Sequence, residues 1–255
     1  MIKVGIIGAE GRMGKEIRNI LKTEPDIKVT ALIEKKGHES IGRFIEGIKI
    51  TSELNELKNV DVVVEFTEPS ASIEHAFFVK KIKKKYVLGT TGFKEKELNI
   101  LKDLGKDIAL VYSPNMSMGV NLLFKITELA SKTLSPDFDV EIIEIHHKKK
   151  KDAPSGTAMR IADIIKKERR IKEMVYGREG FRGERKKDEM GILAVRGGDV
   201  PGEHMVIFLG DGERIELIHR AGGRRIFAKG TVEAIRFIMR KKKGFYTMQD
   251  VMGIK

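Results

Sequence analysis

The sequence predicts an α/β chain in two parts, a parallel sheet with helices on its faces followed by a second α+β part. Three observations carry this. Apolar runs of strand length alternate with helical stretches up to residue 116. A glycine-rich turn stands between the first strand and the first helix. After residue 116 the pattern changes to longer helices and a hairpin.

In order, KVGII (3–7) is a compact buried-strand run, and RMGKEIRNILKTE after it has helical spacing. KVTALIE (28–34) is a second strand. DVVVEFT (61–67) and KYVLGTTG (85–92) are strand ends, separated by the helical stretch SASIEHAFFVKKIKK. KEKELNILKDLG is a helix and DIALVYSPN (107–115) a further strand. Beyond 116, MGVNLLFKITELASKTL is a long helix, DVEIIEIHH (139–147) a strand and SGTAMRIADIIKKE a second helix. Residues 175–200 are rich in glycine and charge, and 177–200 reads as a mobile loop. MVIFLGDGERIELIHRA (205–221) is an antiparallel hairpin turning near Gly210, Asp211 and Gly212. A last helix, GTVEAIRFIMRKKKG, precedes a short tail. The expected division is residues 1–116, to which the C-terminal helix 229–255 returns, and residues 117–228.

Composition narrows the function classes. The chain has 255 residues and no cysteine, which excludes disulfides, thiolate catalysis and cysteine-ligated zinc; no metal is expected. The longest apolar runs, such as VDVVVEF and IALVY, fall far short of the roughly 18 residues a membrane helix needs. No cleavage-site pattern follows MIKVGIIGAEGR, so a cytoplasmic chain without membrane partners is expected. Net charge is +12. Yet the basic residues are spread along the chain, only four Tyr and no Trp offer stacking surfaces, and no zinc-finger or RNP pattern occurs. Anionic small molecules, rather than nucleic acid, are the expected partners.

Residues 8–14 read GAEGRMG, between a strand and a helix, with Gly8, Gly11 and Gly14 three apart. Such a turn lets the backbone approach a pyrophosphate at a helix N-terminus, the device of a Rossmann-like dinucleotide-binding domain. Glu34, 20 residues beyond Gly14, stands where an acid accepts hydrogen bonds from ribose hydroxyls. Glu34 alone favours NADH, whereas Lys35 and Lys36 would welcome a 2′-phosphate; the mixture predicts use of NADPH and/or NADH. GTTG (89–92) and SPN (113–115) reach the same carboxyl edge of the sheet, which makes Gly89, Thr90 and Thr91 candidates to line the nicotinamide pocket.

The segment EIHHKKKKDAPSGTA (144–158) concentrates the remaining chemistry. His146 and His147 end a strand and point to opposite faces, so one imidazole can react while the other binds or packs. Neighbouring lysines disfavour protonation, so a histidine here should titrate below about 6.5 unless a bound anion restores its proton affinity. Ser155 can cap the helix that follows. The first N–H groups of that helix, at Gly156 and Thr157, have no intrahelical acceptor and suit a carboxylate. Lys150 could add a point charge or donate a proton.

EIIEIHHKKKKDAPSGTA resembles the signature of the dihydrodipicolinate reductases (4-hydroxy-tetrahydrodipicolinate reductases) of the diaminopimelate/lysine biosynthesis pathway. The likeness runs along nearly the whole chain, through VGIIGAEGRMG, VVEFTEP, VLGTTGF, SPNMSMGVNLL, YGREGFRGER, MGILAVRGGDVPGEH and FYTMQDV. It implies a Rossmann-like domain, a second α+β domain built on a mixed sheet, and a homotetramer. It implies hydride transfer from NAD(P)H to C4 of a cyclic unsaturated imine dicarboxylate, with His146 as proton donor and Lys150 as its partner near the imine nitrogen. His147, Ser155, Gly156 and Thr157 would hold the substrate carboxylates. Gly8, Ala9, Glu10, Gly11, Arg12, Met13, Glu34, Lys35, Gly89, Thr90, Thr91, Ser113, Pro114, Asn115 and Met116 would surround the cofactor. Two departures stand out: AGGR at 221–224, where members often have a hydroxyl-bearing ASSR-like segment, and EFT, with Glu65 in place of Asp. The alternative is a nucleotide-sensing Rossmann regulator without catalysis, which would not need the intact HHKKKKDAPSGT segment.

Overall fold

A computed structural model describes residues 1–254; Lys255, the last residue of the expected C-terminal segment, lies outside the described residues. The chain divides into two compact units. One holds Met1–Met118 and the segment from Arg224 onward, the other Gly119–Gly223.

The first unit begins with β1 (Ile2–Ile7), α1 (Arg12–Leu21), β2 (Ile27–Ile33), β3 (Phe44–Ile45) and β4 (Ile48–Thr51). A 3-10 turn at Leu54–Asn59 leads to β5 (Val62–Glu65), α2 (Pro69–Lys81), β6 (Lys85–Leu88), α3 (Glu95–Leu104) and β7 (Ala109–Tyr112). The second unit contains α4 (Met118–Thr133, its first residue in the other unit), β8 (Asp139–His146), α5 (Gly156–Glu168), β9 (Glu173–Val175), β10 (Glu189–Arg196), β11 (Glu203–Leu209) and β12 (Arg214–Arg220). The chain then returns to the first unit with α6 (Arg225–Met239), β13 (Gly244–Tyr246) and α7 (Met248–Met252).

Among the described residues the first unit has eight strands in the order β13-β7-β6-β5-β1-β2-β4-β3, parallel except for the β3–β4 hairpin. Its central strands are apolar on both faces because both are covered. Val4, Ile6, Val62, Val64 and Val111 pack on one side with Ile17 and Ile20 of α1 and Val232, Ile235 and Ile238 of α6. Ile7, Ile33, Val63, Leu88 and Leu110 pack on the other with Ala76 and Val79 of α2 and Leu101 and Leu104 of α3. The alternation along each strand thus assigns successive residues to opposite helix layers.

The second unit's five-stranded sheet runs β12-β11-β8-β10-β9. β8, β10 and β9 are parallel, while β11 is antiparallel to both β8 and β12, so the sheet is mixed. Burial alternates residue by residue along β8. Val140 and Ile142, with Ile192, Val206 and Phe208, face α4 and α5 through Val120, Leu123, Phe124, Ile161 and Ile165.

The structure corrects two parts of the sequence reading. The stretch 177–200 is not a single loop, since β10 occupies Glu189–Arg196 and pairs with β8 from Gly191 to Arg196. Gly191 sits there with Glu141 so near that an added Cβ would meet its Oε2 at 1.8 Å. Composition hid a strand whose support is non-local pairing. The expected tail likewise contains β13, which extends the first sheet beside β7, and a further short helix, α7; α6, the helix expected to be last, starts at Arg225, ahead of the expected 229.

Candidate active site

The end of β8 is organised around Glu144, which is fully buried and accepts four hydrogen bonds. The His146 Nδ1–H donates to it at 2.5 Å and the Ser155 N–H at 2.9 Å. The Arg196 guanidinium grips both carboxylate oxygens, at 2.7 and 2.8 Å, and also donates to the Asp152 carbonyl at 2.7 Å. Strand geometry explains the convergence. Glu144 and His146 are two apart on one face of β8, and Arg196 is the β10 residue in register with His146. The fork geometry is one that only arginine offers a carboxylate.

Burial pulls the His146 pKa down, the Glu144 carboxylate pulls it up, and Lys150 and Arg196 lower it again, leaving it below its ordinary value. The direction is that expected from the lysine run, but burial is the first cause and one of the cations is Arg196. Burial also opposes ionisation of Glu144, and Arg196 with His146 outweighs it, holding the carboxyl below the usual range. Because Nδ1–H serves Glu144, Nε2 is the nitrogen that gains and loses the mobile proton. Gly202 closes over it: at φ +154°, an added Cβ would stand 2.9 Å from Nε2. The His204 ring packs edge-on against His146, centroids 5.2 Å apart, with its Nε2 2.9 Å from Ser155 Oγ. Burial, then the charge of His146, drives the His204 pKa down to about 3, so this ring stays neutral.

The lysine run is sorted by the fold. Lys148, Lys149 and Lys151 are exposed, whereas Lys150 is partly buried and pairs with Asp152 at 3.0 Å. Ser155 caps α5, accepting from the Ala158 N–H at 3.1 Å. Its own N–H and hydroxyl are therefore both engaged inside the protein. Gly156 is exposed, and an added Cβ would meet nothing within 4 Å. Thr157 follows in the same first turn, and His147 is half-buried just past β8, its N–H donating to Val200 at 2.8 Å. His146, His147, Lys150, Ser155, Gly156 and Thr157 thus share one strand-to-helix junction. Gly222 and Gly223 have open space around them.

In the first unit, the glycine turn has the close packing a nucleotide turn requires. Gly8 has φ +76°, and a Cβ on Gly14 would stand 2.2 Å from the Gly8 carbonyl oxygen. Glu34, nearly buried just past β2, accepts the Glu10 N–H at 2.6 Å and is thereby aimed over the turn. Arg18 ties down the same turn through the Ala9 carbonyl and the Glu10 carboxylate. A cleft of about 640 Å³ opens here, lined by Gly8, Glu34, Lys35, Lys36, Leu54, Ala71 and His75 among others. That volume is in the range of small-molecule sites. Arg12 and Met13 open α1 beside it.

The other expected cofactor residues stand at the ends of β6 and β7, and several are held internally. Gly89 packs against the Phe66 ring, where an added Cβ would meet Cε1 at 2.0 Å. The buried Thr90 hydroxyl accepts the Thr67 N–H at 3.0 Å, while Thr91 and Pro114 are exposed. Ser113 donates to the Asn115 carbonyl at 2.7 Å, and the Met116 side chain belongs to the core.

Sequence reasoning did not single out Glu144, Arg196, His204 or His75. Glu144 carried a signal, an acid two residues before a histidine on one strand face. Arg196 and His204 carried none, because their place depends on which strands pair.

The sequence profile of the dihydrodipicolinate reductase N-terminus matches residues 2–116, and that of the C-terminus residues 119–252. The 4-hydroxy-tetrahydrodipicolinate reductase of Aquifex aeolicus is 47% identical, covering 99% of each chain. That of Nitrosomonas europaea is 40% identical over 100% of this chain and 99% of its own. A dipicolinate-bound dihydrodipicolinate reductase from Paenisporosarcina sp. TG-14 superimposes with a TM-score of 0.78 at 26% identity, covering 98% of both chains. With a glycine turn and acid in one unit and a carboxylate-held histidine at a helix start in the other, the chain belongs to the dihydrodipicolinate reductase family of NAD(P)H-dependent oxidoreductases.

Proposed function

We propose that the first unit binds the dinucleotide, that the second binds the dicarboxylate substrate and self-associates, and that His146 is the proton donor of the reduction. The observation that carries this is the grip of buried Glu144 on Nδ1 of a histidine two residues before the lysine run. Gly8 to Met13, Glu34 and Lys35 would hold the pyrophosphate and ribose, with Gly89 to Thr91 and Ser113 to Met116 toward the nicotinamide, Met116 through its backbone. Bound NADPH or NADH supplies a hydride to C4 of the substrate ring.

The chain's own work is then to hold two carboxylates and to protonate the neighbouring carbon of the resulting enamine. Gly156 and Thr157 in the first turn of α5, with His147, Ser155 and Lys150, would hold the carboxylates. No packing inside the protein requires a glycine at 156, and the missing side chain leaves room for a ligand to approach the helix start. A dianion beside His146 raises the proton affinity that burial, Lys150 and Arg196 depress, so the imidazolium is favoured when substrate is present. Glu144 fixes the ring so that Nε2 delivers the proton, and Lys150 would assist at the imine nitrogen.

The homotetramer and cytoplasmic location implied by the family are part of the same proposal. No helix among the described residues is long and apolar enough to cross a membrane. Leu122, Ile126 and Leu129 expose an apolar stripe along α4, supporting self-association.

The test is oxidation of NADPH and of NADH with substrate made in situ from pyruvate and aspartate semialdehyde by the upstream synthase. Oxidation should require the condensed substrate, and dipicolinate should compete with it. Nucleotide binding without substrate-dependent oxidation by the folded protein would instead favour a sensor.

A further inference from the structure

We propose that His75, anchored through Nδ1 on the buried Glu65 carboxylate, donates a charged hydrogen bond from Nε2 to the adenine ring of the cofactor. The inference rests on the reading of the cleft as the dinucleotide site. Glu65 ends β5 and is fully buried. Its carboxylate accepts from the hydroxyls of Thr67, Tyr86 and, at 2.9 Å, Ser72, and from His75 Nδ1 at 2.9 Å. The three hydroxyls are neutral. Among the described residues no lysine or arginine pairs with Glu65, so His75 is the partner that can bring it a positive charge.

His75 also lines the cleft, one helical turn after Ala71 on the same face of α2. Gly8 and the start of α1 are where the pyrophosphate belongs, and Glu34 is where ribose hydroxyls belong. The stretch left for the base is bounded by Leu54 and Ala71, apolar surfaces for its faces, with His75 beside them to meet a ring-nitrogen acceptor. The groups around the imidazole act mostly in one direction. Glu65 and Glu74 are its near acids, Glu34, Glu53 and Glu68 line the cleft, and Tyr86 lies behind Glu65. Lys35 and Lys36 oppose them from exposed positions. Burial works against charging the ring, and Glu65, helped by Glu74, outweighs it, holding His75 above its ordinary value. The contact is therefore lost as pH rises through that raised value.

The measurement is the Kd of the purified protein for ADP-ribose and for NADH from pH 6 to 9; neither carries a 2′-phosphate that titrates in that range. The wild-type Kd should rise about tenfold across the range, the loss of one charge-assisted hydrogen bond. His75→Gln should bind at pH 6 as weakly as wild type does at pH 9, with no pH dependence, and should raise KM for NADH far more than it lowers kcat. Glu65→Asp should move the wild-type transition to lower pH. Reduced nicotinamide mononucleotide, which lacks the adenosine half, should show no loss of affinity as pH rises, since the only group on it that titrates here is a phosphate that gains charge near pH 6. A wild-type Kd that stays constant while ADP-ribose binds would overturn the role of His75 and leave the cleft reading standing. The same transition with the mononucleotide would also overturn it, by placing the contact elsewhere. If neither ADP-ribose nor NADH binds at any pH, the cleft reading fails and the proposal with it.

Discussion

Glu65 and Glu144 invite comparison. Each is a fully buried glutamate on a sheet strand, one in each unit, and each accepts a hydrogen bond from Nδ1 of a histidine. The histidines nevertheless shift in opposite directions: His75 is held above its ordinary value and His146 below. The difference lies in what else the carboxylate holds. Around Glu65 the other donors are hydroxyls, which bring no opposing cation near His75. Around Glu144 the Arg196 fork neutralises the carboxylate and adds a cation, and Lys150 adds another. The same acid–histidine couple thus raises the proton affinity of the imidazole in one unit and leaves it depressed in the other.

The comparison breaks most sharply at His146. His146→Gln keeps a donor for Glu144 and removes the mobile proton, so turnover with either cofactor should fall by about 10²–10⁴-fold. Unchanged steady-state turnover in a folded variant would remove His146 from the chemistry.

Glu144→Gln should come next. It leaves the Arg196 guanidinium without its counter-charge and His146 among cations alone, and should cost on the order of 3 kcal/mol of stability in urea unfolding at pH 7. Its turnover should also fall, since the His146 pKa drops further. A variant as stable as wild type would mean that the Arg196 fork contributes little.

His204 sharpens the comparison from its neutral side. Its pKa of about 3 in the folded protein lies far below the roughly 6.5 of an unfolded chain. Below pH 6.5 the unfolded chain takes up a proton that the native ring refuses, so stability falls as pH falls, by about 1.4 kcal/mol per unit. Between pH 6.5 and 5 this amounts to about 2 kcal/mol. His204→Gln should flatten that slope by the same amount in urea melts, and equal slopes would show that the native ring is already charged.

How much of this was legible follows from how local each feature is. The strand and helix alternation, the glycine turn, the hairpin at 210–212 and the Ser155 cap are written in short stretches, and the structure has all of them. β10 was not legible, because EMGILAVR is short, flanked by glycine and charge, and is held in place by pairing with a strand 50 residues away. The lysine run showed that cations crowd His146, but only the fold separates Lys150 from its exposed neighbours. Arg196 and His204 reach the junction through register alone, so no spacing in the sequence marked them. The departure at Glu65 was visible, but its consequence depends on α2 presenting Ser72 and His75 to one buried carboxylate.

The finest test needs no substitution. With His146 as the proposed proton donor, activity should fall as pH rises through its pKa. In the free protein that value is depressed by burial, Lys150 and Arg196 against the pull of Glu144. The falling limb of kcat/KM, which reports the free protein, should therefore lie below about 6.5. With the dianion bound, the added negative charge offsets the two cations, and the falling limb of kcat should move up by about one unit. His75, whose pKa Glu65 raises, should contribute to the KM for cofactor and not to this shift, so the profile is best taken at saturating NADH. Coincident limbs would mean that the substrate's charge does not reach His146, and that the cations at this junction serve binding alone.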